Sequence, residues 1–214
     1  MAHSLNLSGV CAASSCTDAT AFFAFAQNIY VFLSASTNRW KALKDVLEKN
    51  AANDFSRTLL PKRLSETRWS ARADALRSLA QNYKSFHLVM IKLSNKVDQT
   101  AETHREATAL LKKLKKFETA FLTILWNTLL TRVNETSKLL QSTSIELSTA
   151  VALLQLLSAF LVIQRENFGE YYQKTLDAMT AIGDVTCERE FEIRRARRPR
   201  RADDDSLQPA VVLS

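Results

Sequence analysis

Glycine and proline are scarce in this chain, with three of each among 214 residues. Sandwiches, barrels and doubly wound sheets normally need more of these turn residues. Leucine, alanine, lysine, glutamate and threonine suit long helices with short connections instead. The composition therefore predicts an all-α fold, a bundle of long helices.

Sequence motifs of known enzyme chemistry are also missing. The chain has no glycine-rich phosphate loop, no HExxH, no GxSxG and no paired CxxC. Its three histidines lie far apart, and His87 fits a core or boundary position better than a catalytic base. The sequence therefore predicts a protein that is not an enzyme, with no cofactor and no small-molecule substrate.

Cysteine is limited to Cys11, Cys16 and Cys187. An odd number at this spacing fits no disulfide framework, so reduced thiols in an intracellular protein are expected. Together with His3, Cys11 and Cys16 could supply three ligands of a zinc site, but zinc needs four well-placed ligands. We therefore predict plain thiols and no metal site.

Two apolar runs, residues 21–35 and 150–163, are the longest in the chain. Each is shorter than the roughly 20 residues of a spanning helix, and polar residues interrupt both. Both runs are therefore predicted to be buried core helices. No membrane association and no signal peptide are expected.

Apolar periodicity predicts helices with short breaks between them. Thr17 or Asp18 is expected to cap the second helix and Ser36 or Thr37 the third, while residues 143–146 (TSIE) match a capping box. Residues 51–65 lose the periodicity and are predicted to be a loop. The predicted helices are residues 3–13, 19–34, 38–50, about 66–97, about 106–141 and about 144–182.

Positive charge is concentrated near the end of the chain. Subtracting six clustered arginines from the formal net charge of +7 leaves +1 for the rest. Residues 186–214 are predicted to be a disordered tail after a helical domain of residues 1–185. The tail could act as a nuclear-import signal, as a nucleic-acid arm or as a passive solubilising segment. The clustered residues are Arg194, Arg195, Arg197, Arg198, Arg200 and Arg201.

A second basic group surrounds Trp69. An aromatic ring among arginines can stack on an unpaired base while guanidinium groups hold phosphates. The alternative is that Trp69 packs on Leu64 as a hydrophobic staple at the helix start. A lysine run, Lys112, Lys113, Lys115 and Lys116, is expected to be a solvated helix face rather than a phosphate contact. The candidate nucleic-acid-binding residues are Lys62, Arg63, Arg68, Trp69 and Arg72.

Three segments carry a family resemblance: HSLNL near the start, LSETRWSARADAL in the middle, and the long segment of residues 132–179. In this order they resemble hAT-type transposases, and more narrowly the domesticated branch similar to zinc-finger MYM-type protein 1. The resemblance covers roughly residues 1–200. It implies that the chain corresponds to the helical domain inserted into a ribonuclease-H-like core, with residues 1–15 at the junction.

The resemblance also carries implications for single residues. The two catalytic aspartates of the family would precede Met1, and the stretch with its late glutamate has no match, so no transposase activity is implied. Glu188 lies in the wrong place for that glutamate. His3 matches the histidine of the family's CxxH motif. Trp69, preceded by Arg68, matches the family's RW tryptophan, which is implicated in stacking on a flipped base.

These observations predict a non-catalytic, transposase-derived fragment that binds nucleic acid in the nucleus. Two alternatives stay open. One is a helical interaction module that pairs with a protein partner or with itself. The other is a transposon remnant without function.

Overall fold

A computed structural model of the chain describes residues 5, 9, 11–14, 16–51, 59–64, 69–95, 100–142 and 144–183. Over these ranges the fold is all-α, as predicted, with eight long helices and no strand. The expected tail at residues 186–214 lies outside them. The helices are α1 (Thr17–Ser34), α2 (Thr37–Ala51), α3 (Trp69–Gln81), α4 (Tyr83–Asn95), α5 (Ala101–Leu114), α6 (Phe117–Leu139), α7 (Leu147–Glu166) and α8 (Phe168–Ala181).

Helix α1 lies in the middle of the core, as its composition predicts. Large apolar side chains recur on nearly every side of the helix, so it can be covered only by neighbours on several sides. It contacts α2, α3, α5 and α6. Its buried residues are Ala19, Phe22, Phe23, Phe25, Ile29, Phe32 and Leu33.

Pairs of neighbouring helices build the rest of the bundle. Helix α3 packs along α6, α4 along α5, α6 along α8, and α2 along α4. In α2, Leu43 and Leu47 are buried and Trp40 packs partly on the core, so these three residues form the core-facing side of the helix. His87 of α4 is buried, which confirms a core position for this histidine.

Three predicted long helices are each divided in two. The breaks fall at Asn82, at Lys115 and Lys116, and at Asn167. At the first break the Asn82 side chain donates to the carbonyl oxygens of Leu59 and Ser78, both at 3.1 Å. The backbone N–H of Asn82 also donates to the Ser78 carbonyl, at 3.1 Å, so the side chain adds to the backbone bond at this turn. At the first two breaks buried residues continue at helical spacing on both sides, so periodicity could not reveal them.

Helix starts differ from several predicted caps. Cys16 precedes α1 without a side-chain cap, and Thr17 lies inside the helix. Glu146 precedes α7, again without a side-chain hydrogen bond, so the predicted TSIE capping box is wrong. Thr100, which the pattern missed, caps α5 by accepting from the Thr103 backbone N–H at 3.2 Å.

Helix α7 is mostly exposed, which corrects its prediction as a buried core helix. Only Ala150 and Leu157 of its 20 residues are buried. Helices α6 and α8 cover one side, and no other described helix packs along it to the same extent. By length and composition α7 could cross a membrane, as could α1 and α2 taken together across their 106° bend. Burial within the bundle explains the hydropathy of α1 but not that of α7.

Candidate nucleic-acid interface

Three of the five candidate binding residues have described side chains. Lys62 and Arg63 are exposed in the segment of residues 59–64, and Arg72 is half-buried in the first turns of α3. Trp69 begins α3, and its side chain lies outside the described part of the structure, as does Arg68. His3 and the six tail arginines lie outside it as well.

Hydrogen bonds fix the segment of residues 59–64 at both ends. The hydroxyl of Ser78 donates to the Leu59 carbonyl at 2.8 Å, and the Asn82 amide donates to the same oxygen at 3.1 Å. At the other end the Leu64 N–H donates to Oε1 of Gln27 in α1 at 2.9 Å. The described half of the predicted loop is therefore held against α1 and α3.

Lys62 is already paired within the chain. Its Nζ lies 2.8 Å from Oδ2 of Asp74 in α3, and the two side chains are 65% and 37% exposed. An ion pair this exposed contributes at most about 1 kcal/mol. The pair offsets the charge of Lys62, which makes this residue a weaker candidate for binding an anion than its charge alone suggests.

Arg72 is oriented by aromatic residues. Its Cζ atom lies 4.9 Å from the centroid of the Phe23 ring, which in turn packs against Trp126 at 5.0 Å. Such a cation–π contact contributes about 0.5–2 kcal/mol, depending on solvent exposure. A guanidinium stacked on a ring still presents its N–H donors in its own plane. The contact with Phe23 therefore orders the side chain of Arg72.

Arg63 and Arg72 meet at an open cleft of about 950 Å³ between α1, α3 and the segment of residues 59–64. We call this space the basic cleft. None of its described lining residues is acidic. Its volume lies within the roughly 300–1,000 Å³ of typical ligand pockets. The lining residues are Ala13, Ser14, Thr20, Phe23, Ala24, Gln27, Asn28, Arg63, Leu64 and Arg72.

A second cleft, of about 530 Å³, offers a useful contrast. It contains Arg39, whose Cζ lies 4.5 Å from the centroid of the Phe32 ring. Glu102 and Glu106 also line it, and Arg39 is 3.6 Å from a carboxylate oxygen of Glu106. The two arginines are stacked on rings in similar ways. In the second cleft Glu102 and Glu106 offset the positive charges of Arg39 and Lys113, whereas none of the described residues that line the basic cleft is acidic. An anion is therefore favoured more in the basic cleft than in the second.

Other polar features of the described residues give no competing site. Cys11 and Cys16 are exposed free thiols. In the described ranges, no three histidine, cysteine or acidic side chains are grouped so that they could hold a metal ion. Lys112 and Lys113 are exposed near the end of α5, as expected of a solvated face, while Nζ of Lys113 lies 5.8 Å from the Phe25 ring centroid.

Sequence reasoning missed the α1 side of the basic cleft. Gln27 and Asn28 interrupt an apolar helix. In the sequence their polarity argues against a membrane-spanning helix, and it predicted no contact with another segment. Gln27 is in fact the anchor for Leu64, 37 positions away along the chain. Two adjacent amides in an otherwise apolar helix were the one available signal of a polar contact.

Comparisons of the chain with protein-family models, with curated proteins and with solved structures found no match. The hAT resemblance therefore stays a prediction from the quoted segments.

Proposed function

We propose that this chain is a non-catalytic, hAT-transposase-derived helical domain that binds unpaired nucleic acid at the basic cleft and acts in the nucleus. The observation that carries the proposal is the convergence of Arg63 and Arg72 on a cleft without a described carboxylate. The two residues come from different elements, and Trp69 begins the helix that carries Arg72.

The chemistry of the basic cleft fits a single-stranded segment better than a duplex. Binding of single strands combines positive groups that follow the phosphates with aromatic side chains that stack on bases. Arg63 and Arg72 supply the first part, and the proposal assigns the second to Trp69. The amides of Gln27 and Asn28 add donors and acceptors on the opposite wall. The resemblance to hAT-type transposases gives Trp69 the same role.

Fluorescence anisotropy with a labelled, flapped DNA hairpin tests the proposal. Arg72→Gln should weaken binding about tenfold or more, because a hydrogen bond to a charged group is worth about 1.5–3 kcal/mol. Arg39→Gln is the matched control, since it also removes one ring-stacked arginine and one charge. It should leave the affinity nearly unchanged. Equal losses in both variants would contradict binding at the basic cleft.

Trp69→Ala tests the stacking role. Loss of one stacked base should weaken binding about 5- to 150-fold, from about 1–3 kcal/mol per base. Circular dichroism should remain unchanged in a variant that folds. Binding that persists in Trp69→Ala and Arg72→Gln but disappears when residues 194–201 are deleted would assign all affinity to the tail. That outcome would refute the proposal.

Nuclear action is tested separately with the same deletion. Removing residues 194–201 should move a fluorescently tagged chain out of the nucleus, because the deletion removes six arginines of the import signal proposed here. An unchanged distribution would remove the import role from the tail.

A further inference from the structure

The side-chain amide of Gln27 has an orientation that the chain itself imposes. Gln27 lies on α1, is half-buried and lines the basic cleft. Its Oε1 accepts the backbone N–H of Leu64 at 2.9 Å. A backbone N–H can only donate, so the atom that faces it is the amide oxygen, and turning the amide over would place two donors against each other. Leu64 therefore fixes the direction of the Gln27 amide.

The nitrogen of the same amide determines what Gln27 offers to a ligand. Nε2 carries two N–H groups and has no capacity to accept a hydrogen bond. The oxygen is already occupied by Leu64, which lines the cleft beside Gln27. Toward a molecule bound in the basic cleft, Gln27 therefore acts as a donor.

Arginine side chains are close to Gln27 on two elements. Arg63 directly precedes Leu64, and both residues line the cleft. On α1, Phe23 lies one turn before Gln27, and Cζ of Arg72 lies 4.9 Å from the centroid of the Phe23 ring. A guanidinium group, like Nε2 of Gln27, can only donate. A ligand group that binds in this part of the cleft therefore needs acceptors.

The neighbouring polar residues of α1 do not impose the same direction at this place. Asn28 is exposed, and no hydrogen bond to another described residue fixes its amide, so it can turn either its oxygen or its nitrogen to a ligand. Thr20 lies two turns before Gln27, about 10 Å away along the helix axis, so its hydroxyl contacts a different part of a bound strand. Gln27 is thus the residue of this wall that can discriminate between ligands.

The bases of DNA differ in the exocyclic group that such a donor meets. Guanine and thymine carry a carbonyl oxygen there, O6 or O4, which accepts, whereas adenine and cytosine carry an amino group, which donates. A glutamine with a free amide pairs with adenine through both its oxygen and its nitrogen. In this chain the Leu64 N–H already occupies the oxygen of Gln27, which disfavours that pairing.

We propose that Gln27 makes the basic cleft selective for unpaired guanine and thymine over adenine and cytosine. Its fixed N–H donors pair with the carbonyl oxygen of the first two bases and oppose the amino group of the other two. This selectivity rests on the proposed binding of unpaired nucleic acid at the basic cleft, and it specifies which bases bind there.

Fluorescence anisotropy of the full chain with matched pairs of flapped hairpins tests the selectivity. One flap consists of thymine and the other of 5-methylcytosine, which keeps the ring and the methyl group but carries an amino group in place of O4. The wild-type chain should bind the thymine flap about 2- to 10-fold more tightly, the effect of one neutral hydrogen bond. Flaps of hypoxanthine and of adenine repeat the comparison with purines. Equal affinities within either pair would overturn the proposal.

Gln27→Glu tests whether Gln27 is the selective residue. The new side chain has the same shape, so one carboxylate oxygen can still accept from Leu64, while the other takes the place of the amide nitrogen and can only accept. The preference for thymine over 5-methylcytosine should therefore disappear or reverse. The added negative charge weakens the binding of both flaps alike, so the ratio of the two affinities is the readout. An unchanged ratio would overturn the proposal.

Asn28→Asp is the matched control, because it adds the same charge to the same cleft at the next position. It should weaken the binding of both flaps and keep the wild-type ratio, with circular dichroism unchanged in both variants. If both variants lose the preference equally, charge alone explains the change and the proposal is wrong.

The same measurements separate this selectivity from binding itself. A chain that binds every flap with equal affinity would refute the role of Gln27 without contradicting binding at the basic cleft. A chain that binds none of the flaps would refute both.

Discussion

The Leu59 carbonyl is one of the two points at which hydrogen bonds hold the segment of residues 59–64, and replacing its two donors should loosen the segment at that end. Ser78 donates to this oxygen from α3 at 2.8 Å, and Asn82 donates from the break after α3 at 3.1 Å. Ser78→Ala removes one donor from a side chain that is 1% exposed, with almost no change in volume. Asn82 still pairs the carbonyl in this variant.

A hydrogen bond of this kind contributes about 1 kcal/mol, so each single variant, Ser78→Ala or Asn82→Ala, should cost about that much. The double variant removes both donors and should cost about 1–3 kcal/mol more than a single change, because a partly buried carbonyl loses its partners. For a chain of this size, 1 kcal/mol shifts the melting temperature by about 2–4 °C. The pair should therefore show a coupling of up to about 2 kcal/mol, since the second change costs more than the first.

Urea unfolding followed by circular dichroism measures this double-mutant cycle. Binding of labelled single-stranded DNA, measured on the same variants, links the result to function. The singles should bind almost normally, and the double variant should bind more weakly, because Arg63 is no longer held beside Arg72. Additive stability losses would show that water replaces both donors equally well. Unchanged DNA binding in the double variant would refute the positioning role of the segment.

Three other measurements test the packing and electrostatics. Phe86→Ala should lower the free energy of unfolding in urea by about 3–5 kcal/mol, since Phe86 is 1% exposed. Leu156→Ala, at an exposed position, should change it by no more than about 0.5 kcal/mol at low protein concentration. Exchanging the charges of Lys62 and Asp74 should alter stability by less than about 1 kcal/mol, and a larger loss would indicate a stronger pair. Burial raises the pKa of Tyr171, so stability should fall as pH rises above its unfolded value of 10.0. Tyr171→Phe should flatten that dependence, and an unchanged pH profile would contradict it.

Local patterning predicts the interior of the helices well. Helix α1 is apolar almost all round and is buried on most sides. In α2, the side that carries Leu43 and Leu47 faces the core of the bundle. Periodicity reports which sides of a helix are apolar, and in these two helices most of the apolar sides have a neighbour. The breaks in the long helices could not be read in this way. The side chain of Asn82, at the first break, pairs with Leu59, which lies 23 residues away in sequence.

The exposure of α7 is a second property that its own sequence could not reveal. Its composition resembles that of α1, and both were predicted to be buried. Burial depends on how many helices pack alongside, and the described bundle covers α7 on one side only. The same hydropathy therefore marks a core helix in one place and an exposed face in the other.

The basic cleft could be predicted only in part. The sequence identified Arg63 and Arg72 as candidates because they are basic residues on either side of Trp69. It did not predict that Lys62 is paired with Asp74, or that Gln27 forms the opposite wall. Both contacts join residues that are distant in sequence and share no helical spacing, so only tertiary packing brings them together.

The salt dependence of DNA binding tests the central claim most directly. In single-stranded binding, each neutralised phosphate contributes a slope of about −0.7 in a plot of log affinity against log salt concentration. Arg63→Gln with Arg72→Gln should therefore reduce the slope by about 1.4, in addition to weakening binding. Arg39→Gln with Lys41→Gln removes the same number of charges from α2, outside the basic cleft, and should leave the slope unchanged. Equal slopes in both double variants and the wild type would contradict phosphate binding at the basic cleft.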